Sequence, residues 1–571
     1  MVQKVMVGQA IESYLVTAEQ MQQIEGQMFD AGMPVAALME KVAGRLVKWF
    51  IRHYRKREGV EGVAYGRICV LAGPGHNGAD ALVMARELHH LGFEVDICQP
   101  IADGKPLTNQ HASYAKSLGI RLLSALPSLA EYGAVIDGLF GFGLGRPIAG
   151  DLADIVDQVN QQSTPVYSID LPSGIHTDTG RVMGAAIEAT RTACLGLWKR
   201  AFMQEAALKY LGECDLISFD IPLAAIETVV GKSPAVRRLI KSQMMPILLP
   251  NRSATMHKYT AGHLLLIAGS RQYGGAAMLA GLGAIASGVG MLTLAVPDSI
   301  RLTLLPQLPG ALILGCKETA DGAIAELPDT IDLGKYDAIA FGPGLTPTAP
   351  GLLTAVLNAN CPILLDADGL NLLAKTNVVQ TLQSREKTTV LTPHVGEFKR
   401  LFSEIYNELA DQTLPGEMPG EMPGEMPGEI AARAARESGA IVLLKGPRSA
   451  IASGQNLWFN PESSSALARG GSGDVLTGLM GGLLAARARA FADDKLSCDD
   501  LSSKKRSDQA NNNNLRDNLN SYFFPAVAGA VWWHSQAALY ASEQYSVLGV
   551  DPLQLAHSLD PALRSLLKKP V

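Results

Sequence analysis

RICVLAGPGHNGADALVMARELHHLG, residues 67–92, joins a short apolar run closing on glycine, a Gly-rich loop and a stretch with helical spacing. The same grammar returns along the chain. GAVIDGLFG (133–141) and PVYSIDLP (165–172) are apolar runs that end in polar or Gly-rich loops. HLLLIAG (263–269), GMLTLAV (290–296), YDAIAFGPG (336–344), PILLDADGL (362–370), TVLTPHVGEF (389–398) and AIVLLKG (440–446) repeat it in the second half. Strands alternating with helices predict parallel sheets with helices on both faces, so the fold class is α/β, with two three-layer αβα domains. The pattern pauses over 220–260, which divides the chain into domains at 1–235 and 236–571. Ahead of the first strand, residues 17–50 read as a helix pair, with Thr17 as N-cap and Met21, Ile24 and Met28 at helical spacing. In such sheets ligands gather at the carboxyl ends of the strands, where the Gly, Asp and His residues of these runs fall.

Composition narrows the function. The chain has 571 residues, of which 47% are hydrophobic and 18% charged, enough for two or three cores. A net charge of −6 argues against a nucleic-acid grip, which needs a basic face. The 7 cysteines form no CxxC, which argues against structural zinc and fits a reducing, cytoplasmic setting, as does an N-terminus with no signal-peptide pattern. Residues 272–297 carry no charge and are long enough to span a bilayer, but Ser287-Gly288-Val289-Gly290 breaks the run. They read as a buried helix (275–287) and a buried strand (290–296), with no membrane partner expected. Two polar insertions, 411–430 with its PGEM repeat and the Asn-rich 493–520, read as mobile surface loops.

RGGSGDVLTG (469–478) carries the sharpest chemical signal. Small residues let the backbone wrap an anion, the following helix aims free N–H groups at it, and Asp474 can take a proton from a hydroxyl as phosphate arrives. The alternative is a plain helix cap. Lys445-Gly446-Pro447-Arg448-Ser449 offers a cation and loop amides to phosphates, or is simply a strand-end turn, and no GxxxxGK[ST] is present. His394, Asp366 and Asp368 also sit at strand ends. In the first half, Asn77, Asp137, Asp170 and Ser173 recur at successive strand ends, a set suited to an oxygen-ligated cation or to acid–base work.

Taken together, these motifs resemble two known families. TAEQM (17–21), LMEKVAG (38–44), GPGHNGAD (73–80), DGLFGFGLGRP (137–147) and IDLPSG (169–174) are similar to the NAD(P)H-hydrate epimerases. HKYTAGHLLLIAGS (257–270), YGGAAML (273–279), FGPGL (341–345), DADGLN (366–371), TPHVGEF (392–398), LLKG (443–446) and GGSGDVLTG (470–478) are similar to the ribokinase-like NAD(P)H-hydrate dehydratases. Their order is that of the fused repair family.

The resemblance implies a Rossmann-like first domain that interconverts the R and S hydrates of NADH and NADPH. A ribokinase-like second domain would dehydrate the S form with the phosphoryl group of ADP, Asp474 acting as base. It assigns epimerase substrate binding to His76, Asn77, Gly78, Ala79 and Asp80, to Gly141, Phe142, Gly143, Leu144, Gly145, Arg146 and Pro147, and to Asp170 as a catalytic acid. Asn77, Asp137 and Ser173 would hold potassium. Ala276, Gly344, His394 and Asp474 would meet the hydrate in the second domain. Lys445, Gly446, Pro447, Arg448, Ser449 and Gly473 would meet the nucleotide, with magnesium as its companion. The partners implied are small molecules and a second copy of the chain. The chain departs from the family's usual NNGGDG loop at His76, Ala79 and Ala81, and a positive φ at Ala79 would strain it. Two other readings stay open: a vitamin-precursor kinase on the same second fold, and a first domain reduced to a binding module.

Overall fold

The computed structural model describes residues 11–58, 66–249, 257–346, 350–410, 427–498 and 510–568. The chain divides into two compact units, Met1–Arg238 and Leu239–Val571, a few residues after the division expected from sequence.

The first unit is built on a parallel sheet of β1 (Arg67–Ala72), β2 (Val95–Cys98), β3 (Arg121–Leu123), β4 (Tyr132–Gly138), β5 (Val166–Ile169), β6 (Arg191–Leu195) and β7 (Glu213–Ile217). Its spatial order is β3-β2-β1-β4-β5-β6-β7, a doubly wound arrangement whose direction reverses between β1 and β4. Alternation along β1 separates two cores. Ile68, Val70 and Ala72 meet the helices Val35–Glu58 and His76–His90, while Cys69 and Leu71 face the Val156 and Val159 side of the helix Asp151–Asn160. Helices therefore cover both faces, as continuous apolar strands require. The helix Ala18–Asp30 opens on a capping box formed by Thr17 and Gln20 and buries Met21, Ile24 and Met28, the face its spacing predicted.

In the second unit, β8 (His263–Ile267), β9 (Met291–Pro297), β10 (Leu312–Glu318), β11 (Ile324–Glu326), β12 (Ala338–Phe341), β13 (Ile363–Leu365), β14 (Thr389–Leu391), β15 (Ile441–Leu444), β16 (Ala450–Ser453) and β17 (Asn456–Phe459) form one sheet. The order is β17-β16-β15-β14-β13-β12-β8-β9-β10-β11, parallel from β15 to β10 and antiparallel at both edges. Leu264 and Leu266 pack into the core formed with the long C-terminal helices, and the alternate residues Leu265 and Ile267 are buried as well. The sheet is covered on both sides.

The uncharged run at 272–297 is the helix Gly274–Ala286 followed by β9. Its small residues have a packing reason. A Cβ on Gly283 would stand 2.1 Å from the Val475 carbonyl oxygen, and one on Gly478 would stand 1.7 Å from that of Ala280. Two helix backbones, Gly274–Ala286 and Ser472–Cys498, touch through glycine. By length and composition Ser472–Asp493 is apolar enough to cross a membrane, yet its apolar residues are the core of this unit.

Both insertions are corrected in part. Residues 427–430 are no loop: Pro427 opens the helix Pro427–Ser438, and Gly428 and Ile430 are buried in it. Proline suits that first turn because its missing N–H has no helical partner there. Residues 493–498 continue the helix Ser472–Cys498, and 510–520 begin the helix Ala510–Tyr545. Leu519 is buried, Asn520 donates to the Gly439 carbonyl at 2.9 Å and Arg516 to that of Gln383 at 3.3 Å, so tertiary contacts override a polar composition. Residues 411–426 and 499–509 lie outside the described residues.

Candidate functional sites

In the first unit the order of strands reverses between β1 and β4, and the loops leaving those two strands carry the predicted residues. Gly73 lets the chain turn there, because a Cβ on it would stand 1.7 Å from the Leu139 carbonyl oxygen. The helix His76–His90 then starts from Gly75 with no side-chain cap, leaving its first amides free. Asn77, Gly78, Ala79 and Asp80 all fall in its opening turns. Ala79 is helical, is 0% exposed and is absent from the positive-φ residues, so the strain considered from sequence does not arise.

Asp170 follows β5 and is held at φ 68, a left-handed conformation that aspartate tolerates better than most residues. It is 2% exposed. Its Oδ1 accepts from Lys199 Nζ at 2.5 Å and from the Leu195 N–H at 3.4 Å, and its Oδ2 accepts from the Phe142 N–H at 2.9 Å. A Cβ on Gly141 would lie 2.9 Å from Asp170 Oδ2 and 3.2 Å from Asn77 Oδ1, so glycine keeps that corner open. Asp137, at the end of β4, is fully buried and accepts from Ser168 Oγ at 2.8 Å, Ser173 Oγ at 2.6 Å and Ser173 N–H at 2.9 Å. Burial pushes its carboxyl up, and these serine donors hold it back. The Asn77 Nδ2 is buried without a hydrogen-bond partner among the described residues. Gly143, Gly145, Arg146 and Pro147 are exposed in the loop after β4, with Leu144 half-buried.

Sequence reasoning missed Glu25 and Lys199. Burial pushes the Glu25 carboxyl up to about 7, with Lys199 pulling it down and Asp170 pushing it further up. Burial also raises Asp80 well above the carboxylate range, and both Glu25 and Asp170 add to that. The one available signal was a lysine set directly after the apolar run ACLGLW.

In the second unit the strand ends converge on Asp474, which lies in the first turn of the helix Ser472–Cys498, inside the helix and not at the N-cap position. Burial raises its carboxyl to about 7; Asp366 and Asp368 push the same way and Lys445 opposes them. Gly471 turns the preceding loop at φ +99. Behind the loop, Asp366 at the end of β13 is buried and accepts from Lys445 Nζ at 2.8 Å and Thr477 Oγ1 at 2.6 Å. Burial alone would raise Asp366, but Lys445, Thr477 and Thr392 hold it below the usual carboxylate range. A Cβ on Gly473 would stand 3.6 Å from Lys445 Nζ, so the glycine loop, the lysine and the two carboxylates share one corner. His534, also missed, is buried and forms a hydrogen bond of 3.0 Å with the Ser472 carbonyl. Burial lowers it to about 4, so it supports the loop as a neutral ring.

The other predicted residues divide. Gly446 and Ser449 close a turn after β15, the Ser449 hydroxyl donating to the Gly446 carbonyl at 2.9 Å, with Pro447 and Arg448 inside it. Gly344, at φ +65, touches Ala276: a Cβ there would come within 2.8 Å of the Ala276 Cβ. His394 pairs with Lys445 in a parallel bridge, and its side chain is 56% exposed. Its Nδ1 accepts from the Gly396 N–H at 2.9 Å, and it closes a capping box with Glu397. Asp368 is likewise tied to its own loop, accepting from the Thr346 N–H at 3.0 Å and Asn371 Nδ2 at 3.1 Å. The strand ends thus bring a carboxyl raised to about 7 together with a Gly-rich turn and a lysine.

Comparison with known proteins gives two family matches: residues 35–201 match the YjeF-related protein N-terminus family, and residues 264–561 match the NAD(P)H-hydrate dehydratase family. The chain is similar to the bifunctional NAD(P)H-hydrate repair enzyme Nnr of Thermosynechococcus vestitus, at 46% identity over 554 residues, 97% of this chain and 98% of the relative. The protein of the same name in Synechocystis sp. is 45% identical over 554 residues, covering 97% and 95% of the two chains. Among solved structures, the ADP/ATP-dependent NAD(P)H-hydrate dehydratase from Bacillus subtilis is 31% identical with a TM-score of 0.42, covering 57% of this chain and 97% of that one.

Proposed function

The chain belongs to the NAD(P)H-hydrate repair family, and from that premise we propose that its first unit epimerises the R and S hydrates of NADH and NADPH while its second unit dehydrates the S form at the expense of ADP. The observation that carries the dehydratase reading is Asp474, a carboxyl raised to about 7 in the first turn of a helix, beside Lys445 and the Gly-rich residues 470–473 that lead into that helix.

Hydroxide is a poor leaving group, so the second unit first improves it. Asp474 takes the proton of the C6 hydroxyl, and that oxygen bonds to the terminal phosphorus of ADP as the P–O bond to AMP breaks. The loop amides and Lys445 steady the charge on the transferring group. The lone pair of the ring nitrogen then expels phosphate, and loss of a proton from C5 restores the C5–C6 double bond. Magnesium, when bound, supplies charge to the phosphates. Asp366 and Asp368 are engaged by protein donors, which favours an ion arriving with the nucleotide over one caged by the chain.

In the first unit the hydrate would lie along the opening turns of the helix at His76–Asp80 and the Gly141–Pro147 loop, against Asp170. Asn77, Asp137 and Ser173 are the oxygen-bearing set that would hold potassium. The buried Asn77 Nδ2, without a partner among the described residues, fits a missing neighbour there, since the two ends of an amide exchange by a flip. That ion would supply a fixed positive charge to the pocket.

The test is incubation of the chain with ADP and hydrated NADH. Return of the reduced-nicotinamide absorbance, with AMP and phosphate formed, is expected. A stable phosphorylated product would replace this reading with a kinase.

A further inference from the structure

Lys199 is 0% exposed, and burying an unpaired ammonium costs several kcal/mol, so its partners carry information. Its Nζ reaches Asp170 Oδ1 and the Leu195 carbonyl oxygen, each at 2.5 Å, and lies 5.5 Å from the centre of the Phe142 ring. The backbone is pinned as well. Leu15–Val16 pairs in parallel with Trp198–Lys199, Val16 opposite Lys199, and the helix Ala18–Asp30 that follows is tied by its Ala18 N–H to Asp178 Oδ1 at 2.8 Å.

The consequence falls on Asp170. Lys199 and the Leu195 N–H occupy Oδ1, and Oδ2 takes only the Phe142 N–H among the described hydrogen bonds, on the side that Gly141 leaves open. Glu25, from the helix Ala18–Asp30, also acts on the lysine, and Asp80, from the helix His76–His90, lies within the influence of Glu25 and Asp170. Cys194, 3.9 Å from Nζ, is the remaining titratable neighbour, and burial keeps it a thiol. Lys199 is spent on Asp170, its ion-pair partner at 2.5 Å, and burial leaves Glu25 and Asp80 raised above the carboxylate range.

We propose that Lys199 is the positioning residue of the epimerase unit, fixing Asp170 through Oδ1 so that Oδ2 is turned toward the substrate. This rests on the epimerase reading above. The step it serves balances: a carboxyl gives its proton to the C6 hydroxyl, the C–O bond breaks with the ring-nitrogen lone pair forming C6=N, and water leaves. Water then adds to the opposite face and returns a proton to carboxylate. Asp170, held by Lys199, faces the cationic ring that exists in between.

Lys199→Gln and Lys199→Arg in the full chain separate charge from shape. Exchange of R and S hydrated NADH is followed without nucleotide, so that the second unit is silent, alongside thermal melting of each variant. With glutamine, kcat should fall about 100-fold with KM within about threefold, and the acid limb of the pH profile should move to higher pH. Arginine should restore most of the rate and the original limb. A folded glutamine variant at wild-type rate overturns the proposal. So do equal losses in both variants, or a glutamine variant that has lost its melting transition, because Lys199 then serves only the fold. A wild-type chain that exchanges no hydrate removes the epimerase reading itself.

Discussion

Replacing Asp474 with asparagine should stop dehydration and, at neutral pH, make the second unit harder to melt. The two effects have one cause. A carboxyl displaced from 3.8 to about 7 by burial and by Asp366 stores roughly 4 kcal/mol when ionised, at about 1.4 kcal/mol per pH unit. Water at the mouth of the cleft screens part of this, leaving about 1–2 kcal/mol. The sign follows from proton counting. Between 3.8 and about 7 the folded chain binds more protons at this site than the unfolded chain, so stability falls as pH rises through that window. Above it the full cost is present; below it there is none. Asparagine is isosteric and never ionises, so it should melt roughly 2–4 °C higher than wild type at about pH 8 and equally at about pH 4. Its dehydration rate should drop about 10²–10⁴-fold, the range of a lost general base. In the wild type, turnover should rise with pH and level off above about 7. Calorimetry at the two pH values and the absorbance assay read both halves. An asparagine variant within about tenfold of wild-type rate, or one that melts lower at about pH 8, refutes the reasoning.

Gly344→Ala places a methyl 2.8 Å from Ala276 Cβ and 2.9 Å from Tyr273 Cβ on a backbone at φ +65, and it should raise the KM for the hydrate while leaving ADP binding by calorimetry unchanged. Ala79→Gly, which restores the family's usual residue, should lower the melting of the first unit by about 1 kcal/mol without raising epimerisation, because the position is a buried helical one in contact with Met39, Ala43 and Val83.

Much of this was legible before any coordinates. The apolar runs at 67–73 and 263–269 are strands because β-rich segments closing on glycine leave few alternatives, and the Gly-rich loops after them fall at strand ends. Asp474, Asp366 and Lys445 were singled out as strand-end or loop residues, but their meeting was not, since β13, β15 and the helix Ser472–Cys498 are far apart in sequence. Lys199 and Glu25 were missed for the same reason: a pair of opposite charges 29 residues apart, such as Lys199 with Asp170, leaves no local pattern. The helical residues 427–430, 493–498 and 510–520 escaped the sequence reading on composition, because Pro, Asn and charged residues argue locally for a loop and only contacts such as Asn520 with Gly439 reverse that. His394, singled out at a strand end, also caps the helix that follows through its Nδ1, a second role that its sequence position did not announce.

Phosphorylation of the hydrate oxygen before its expulsion is the core of the dehydratase account, and isotope labelling reads it directly. Hydrated NADH carrying heavy oxygen at the C6 hydroxyl, turned over once with ADP in ordinary water, should deliver that oxygen into the inorganic phosphate released. Label found in water, with the phosphate unlabelled, would mean that ADP is hydrolysed beside the reaction and that Asp474 does not prepare the hydroxyl for transfer.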